Sequence, residues 1–111
     1  AGYLSWEEDG TVSLNGKTLP VKAKLADGEA LLPVRAVAEA MELDVQWVSG
    51  KGAVVEKEEK TVLTALPGGS ISGWDSAGVS FTVEGTCVLE KGTTYISSDV
   101  LLELLDLFAA Q

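Results

Sequence analysis

The sequence contains no histidine, and cysteine, methionine and arginine occur once each, as Cys87, Met41 and Arg35. Without imidazoles, and with a single thiol, no clustered set of soft metal donors can be assembled. A lone cysteine also rules out an intramolecular disulfide, so cysteine usage does not report the redox compartment. A serine nucleophile would have to borrow lysine or an N-terminal amine as its base. The chain has neither a Ser-x-x-Lys motif nor a nucleophile elbow, and it lacks a phosphate-binding G-x-x-x-x-G-K-[ST] loop and an EF-hand calcium loop. Apolar runs stay well below the about 18 to 20 residues that cross a bilayer, so no membrane insertion is expected. Positive charge is scarce too. Eight lysines and arginines face 17 aspartates and glutamates, for a formal charge of −9. A field of that sign repels nucleic acid and anionic lipid, so no nucleic-acid partner is expected.

What remains is enough for a globular protein. Apolar residues make up 46% of 111 residues, which suits one compact domain over 1–111 and argues against disorder. Asp9-Gly10 marks a turn, and Val12-Ser13-Leu14 alternates as a half-buried strand does. Asn15-Gly16 is a strong two-residue hairpin signal, and Thr18 to Leu25 reads as the returning strand, with Pro20 marking an edge or bulge. Pro33 suits the first turn of a helix whose apolar stripe is Val34, Val37, Ala38 and Met41, ending near Met41 to Leu43. Val45 to Val48 reads as a strand. Ala53 to Glu56 and Thr61 to Leu66 form a second hairpin across Lys57-Glu58-Glu59-Lys60. The glycine-rich stretch from Pro67 to Gly78 reads as an exposed loop, and Val79 to Val83 with Thr86 to Leu89 as a third hairpin. Thr94-Tyr95-Ile96 is a short strand, and Ser97 or Ser98 caps a final helix.

The chain also aligns with itself. Ala30-Leu31-Leu32-Pro33 before the first helix matches Thr94-Tyr95-Ile96-Ser97 before the last, with Gly28 and Gly92 in the same register. Val12 to Gly16 matches Phe81 to Gly85. The fold expected is therefore α+β, an antiparallel sheet of several hairpins packed on two helices, built from two degenerate β-β-β-α halves at about 11–66 and 79–111.

The segments Val12-Ser13-Leu14-Asn15-Gly16-Lys17, Leu31-Leu32-Pro33-Val34-Arg35-Ala36-Val37-Ala38-Glu39-Ala40 and Val45-Gln46-Trp47 together resemble the copper amine oxidase N-terminal-like, or stalk, domain. That resemblance covers nearly the whole chain. It departs at Glu42, where the family usually has glycine after the first helix, and at Ser97 and Asp99, where the second copy usually repeats proline and arginine. The resemblance implies an antiparallel sheet wrapped against helices, a location outside the cytoplasm in exported and cell-wall proteins of Gram-positive bacteria, and no catalytic activity. The copper of the oxidases belongs to a separate catalytic domain, so neither copper nor any other cofactor is expected here. The opening Ala1-Gly2-Tyr3, without methionine, fits a mature form whose export signal has been removed.

Candidate functional residues follow from these readings. Glu7-Glu8-Asp9 and Glu56, Glu58 and Glu59 are the densest carboxylates, but a terminus and a hairpin tip are solvated places, so no catalytic or metal-binding residue is assigned. Arg35 can grip a partner's carboxylate through its planar fork, or pair with Glu39. Trp47 alternates with Val45 as a core residue would. Trp74 is a candidate for stacking on a sugar or an anchor for its loop, and Trp6 is open to either role. Cys87, among β-formers, reads as a buried small apolar residue. The last helix is apolar on nearly all sides, which points to deep burial or to a partner on Leu104 and Phe108. The leading expectation is a non-catalytic extracellular or cell-surface interaction or spacer module with a protein or cell-wall polymer partner. A homo-oligomer could form through the last helix. The alternative is a cell-wall carbohydrate-binding module centred on exposed Trp74.

Overall fold

The computed structural model describes the backbone of residues 4–26 and 28–110 and the side chains of 4–25 and 28–104. In chain order the elements are β1 (Leu4–Trp6), β2 (Val12–Leu14), β3 (Lys17–Thr18), β4 (Lys24–Ala26), β5 (Glu29–Pro33) and α1 (Val34–Ala40). There follow β6 (Asp44–Val48), β7 (Gly52–Lys57), β8 (Lys60–Ala65), β9 (Ile71–Trp74), β10 (Ser80–Val83), β11 (Cys87–Glu90), β12 (Thr93–Ser97) and α2 (Ser98–Ala110). The strands form three antiparallel sheets, in the orders β1-β2-β3, β10-β9-β8-β7-β6 and β11-β12-β5-β4. Among the described residues the fold is α+β, with antiparallel sheets and two helices, as the patterning predicts, but the strands divide among three sheets where a single sheet was expected.

Local chemistry explains the elements. Asn15 and Gly16 both take positive φ and place Leu14 opposite Lys17, the two-residue hairpin expected of Asn-Gly. The returning strand is shorter than the sequence suggests. Leu19 N–H still donates to the Val12 carbonyl at 2.8 Å, but Pro20 has no N–H to continue the ladder. The chain then leaves for a second sheet as β4. Helix α1 starts from Pro33 in extended conformation and buries Val34, Val37 and Ala38.

Its C-terminus is a Schellman motif. Glu42 N–H donates to Glu39 O at 3.0 Å and Leu43 N–H to Ala38 O at 2.9 Å, while Leu43 and Ala38 are both buried. Glu42 itself sits at φ 65°, in the left-handed region that favours glycine. It also places a negative charge at the negative end of the helix. Glu42→Gly is therefore expected to stabilise the protein by about 1 kcal/mol, net of the entropy glycine adds to the unfolded chain, seen as a rise in Tm of about 5 °C.

Two connections differ from the sequence reading. The stretch through Trp74 is a strand and not a loop, because Gly73 marks a close approach and not a turn. A Cβ at Gly73 would stand 2.7 Å from Leu104 Cδ2 and 2.7 Å from Phe81 Cζ. The expected third hairpin does not form. β10 pairs with β9, β11 pairs with β12, and Glu84 to Thr86 carry the chain between two sheets. The core between the elements is built from Val12, Leu32, Val37, Leu63, Ile96 and Leu104, with their neighbours. The Ser97 hydroxyl, one of the two caps expected for α2 beside Ser98, is engaged across the sheet. It accepts from Thr86 N–H at 2.7 Å and donates to Glu29 Oε1 at 2.7 Å.

Candidate functional site

Trp47 is the largest departure from expectation. It is 53% exposed, so it is not a core residue. The alternation with Val45 is real, but β6 is the last strand of its sheet, and at an edge an inward-facing position can still meet solvent. Trp47 stands opposite Ala53 on β7 and opens onto a cleft of about 340 Å³. Leu89 of β11, 49% exposed, faces the same cleft, together with Pro20 and Val21 of the loop after β3. One turn of α1 supplies the polar rim: Arg35 Nη1 donates to Glu39 Oε2 at 3.3 Å, across exposed side chains. In solvent such a pair contributes a few tenths of a kcal/mol at most, about 0.3 to 0.5. The cleft is thus an apolar floor with one cation and one anion beside it, large enough for a small ligand or a few side chains.

The other sequence candidates fall elsewhere. Trp74 closes β9, half-buried and not freely exposed, and lines two clefts of about 320 and 350 Å³. On that sheet face Thr64, Ser72 and Thr82 lie in register across β8, β9 and β10. Trp6 is half-buried in β1 and packs against the core. Arg35 makes the ion pair with Glu39 and also lines the Trp47 cleft. Leu104 is fully buried, and the Phe108 side chain lies outside the described residues. No sequence signal marked Leu89, Pro20 and Val21 as neighbours of Trp47, because they come from β11 and from the loop after β3, both far from β6 in the chain.

Proton chemistry at the described residues is quiet. Asp9 and Glu90 are both held below the ordinary carboxylate range, Asp9 chiefly by the Thr11 N–H and Glu90 by Lys24, with which it ion-pairs. That direction is opposite to what a general acid needs. Burial pushes the Cys87 thiol up to about 11. Because the folded value is raised, the native state holds the proton, and stability is lost as pH climbs from 9.0 toward about 11. Cys87 is accordingly expected to resist iodoacetamide at pH 8 in native protein and to react on denaturation, as read by intact mass. Among the described residues no group of three or more acidic or sulfur side chains is placed to hold a metal ion. Among them, too, no helix is long and apolar enough to cross a membrane.

These features define a small antiparallel α+β module with an apolar cleft between sheets. The chain belongs to the copper amine oxidase N-terminal domain family, whose model matches residues 13–109. That N-terminal domain is a non-catalytic part of the copper amine oxidases. No curated protein and no solved structure matches the chain.

Proposed function

We propose that this chain is a non-catalytic interaction or spacer module working outside the cytoplasm, at a cell surface or in a secreted protein. Family membership supports the absence of chemistry, and the exposed Trp47 cleft is the single observation that carries the interaction. On a chain of net charge −9, the half-exposed Trp47 and Leu89 line one cleft and together form an apolar patch of the kind a partner covers. We read the chain as one domain over 1–111. The pairing of β5 with β12 supports its origin in two degenerate halves. Each of these strands leads into a helix, and Leu32 lies opposite Ile96, the residue with which it aligns in the self-comparison.

The direct test is to supply the purified chain with copper(II) and a primary amine. No oxidation of the amine is expected, and turnover would contradict the reading. Light scattering after size exclusion, across a range of concentrations, tests association of two copies through α2; a monomer throughout is the result a spacer gives. A second reading, carbohydrate binding at Trp74, draws on the in-register hydroxyl row of Thr64, Ser72 and Thr82 beside it. Its test is Trp74→Ala against a polysaccharide pull-down.

A further inference from the structure

The five-stranded sheet ends in β6, which pairs with β7 on one side and with no strand on the other among the described residues. An unpaired edge offers a row of backbone donors and acceptors to any extended chain, and natural proteins usually block it with lysine, proline, a bulge or a short strand. Three other edges here are short or tied. β4 and β11 are tied by the Lys24–Glu90 ion pair, and β3 is two residues long. β6 is neither: it runs Asp44-Val45-Gln46-Trp47-Val48 with five residues in unbroken register. The opposite edge of this sheet, β10, is open as well, but β6 alone of the two contributes side chains to the Trp47 cleft.

The charges at the start of β6 are acidic, while Lys51 follows its end. Glu39 and Arg35 neutralise each other, which leaves Glu42 just before the strand, Asp44 at its start and Glu56 opposite Asp44. Glu56 accepts from Gln46 Nε2 at 3.2 Å, a neutral partner that leaves its charge in place.

We propose that the β6 edge receives a basic, extended peptide segment of a partner protein as an added strand, with one apolar side chain of that segment seated between Trp47 and Leu89. Backbone pairing supplies the affinity, the cleft selects a side chain at alternate positions, and the carboxylates favour lysine or arginine beside it. This deepens the interaction reading and rests on it. A sugar would use the indole face but would leave the open backbone row and the acidic flank without a role.

The experiment is an amide-resolved NMR titration of the full chain. The probes are acetyl-Lys-Val-Lys-Val-Lys-Val-amide, its glutamate counterpart, a version N-methylated at alternate residues so that it cannot pair, and cellobiose. Saturable shifts at the amides of residues 44–48 and at the Trp47 indole are expected with the lysine peptide. They should weaken at high salt and by about tenfold or more in Trp47→Ala. The glutamate and methylated peptides are expected to give none. Equal binding of the methylated peptide, shifts centred on β10 or Trp74, or no shift at millimolar lysine peptide would overturn the proposal. So would cellobiose moving the Trp47 indole while the peptide does not. None of these failures touches the non-catalytic reading, which fails only if the amine is turned over.

Discussion

Gly52→Ala is expected to destabilise the protein by about 4 kcal/mol, read as a lower denaturant midpoint at unchanged slope. Gly52 opens β7 opposite Val48 and takes φ +83°, a conformation that costs an alanine about 1 kcal/mol or more. The larger part of the effect is steric. A Cβ there would stand 2.2 Å from the Ala65 carbonyl oxygen and 2.7 Å from Leu66 Cα. Both are backbone atoms at the end of β8 and just beyond it, so the strand pair itself must move apart. Gly50, two residues earlier, provides the comparison. It has the same φ of +83° but nothing within 4 Å of a built Cβ. Gly50→Ala should therefore cost about 1 kcal/mol, and the difference between the two variants isolates the backbone clash.

Leu104→Ala is expected to cost about 3 to 4 kcal/mol, within the range for a fully buried leucine that leaves a cavity. Leu104 joins α2 to the sheet. It has no exposed surface, and its Cδ2 packs where Gly73 leaves room on β9, next to Phe81. Leu102, on the same helix and half-buried, should lose about 1 kcal/mol or less when truncated. A charged residue at Leu104 would unfold the helix from the sheet, so it reports folding and not association. An experiment on association through α2 has to use exposed or half-buried positions such as Leu102 instead.

The local signals in the sequence were faithful where one residue type dictates the backbone. Asn15-Gly16 makes its hairpin, the charged tip of Lys57 to Lys60 turns β7 into β8, and Pro33 stands one residue before the helix it was expected to begin. They misled where a residue serves a distant neighbour. Gly73 looks like a loop glycine, and only the arrival of Leu104 and Phe81 shows why it has no side chain. The run around Glu84-Gly85 looks like a hairpin turn, yet it connects two sheets, because β10 finds its partner in β9. Trp47 has the alternation of a core residue, and that pattern says nothing about whether another strand lies beyond β6. Arg35 was legible down to its Glu39 partner, since i,i+4 spacing on a helix fixes that contact. The cleft was not legible, because its walls come from loops and strands far apart in the chain.

The most direct test of the account is the thermal and denaturant stability of Trp47→Ala. An indole held at a solvent-open cleft for a partner contributes little to folding, so a loss of no more than about 1 kcal/mol is predicted. A loss of about 3 to 5 kcal/mol, the range for truncating a buried tryptophan, would mean that Trp47 belongs to the core and that the cleft does not exist as described.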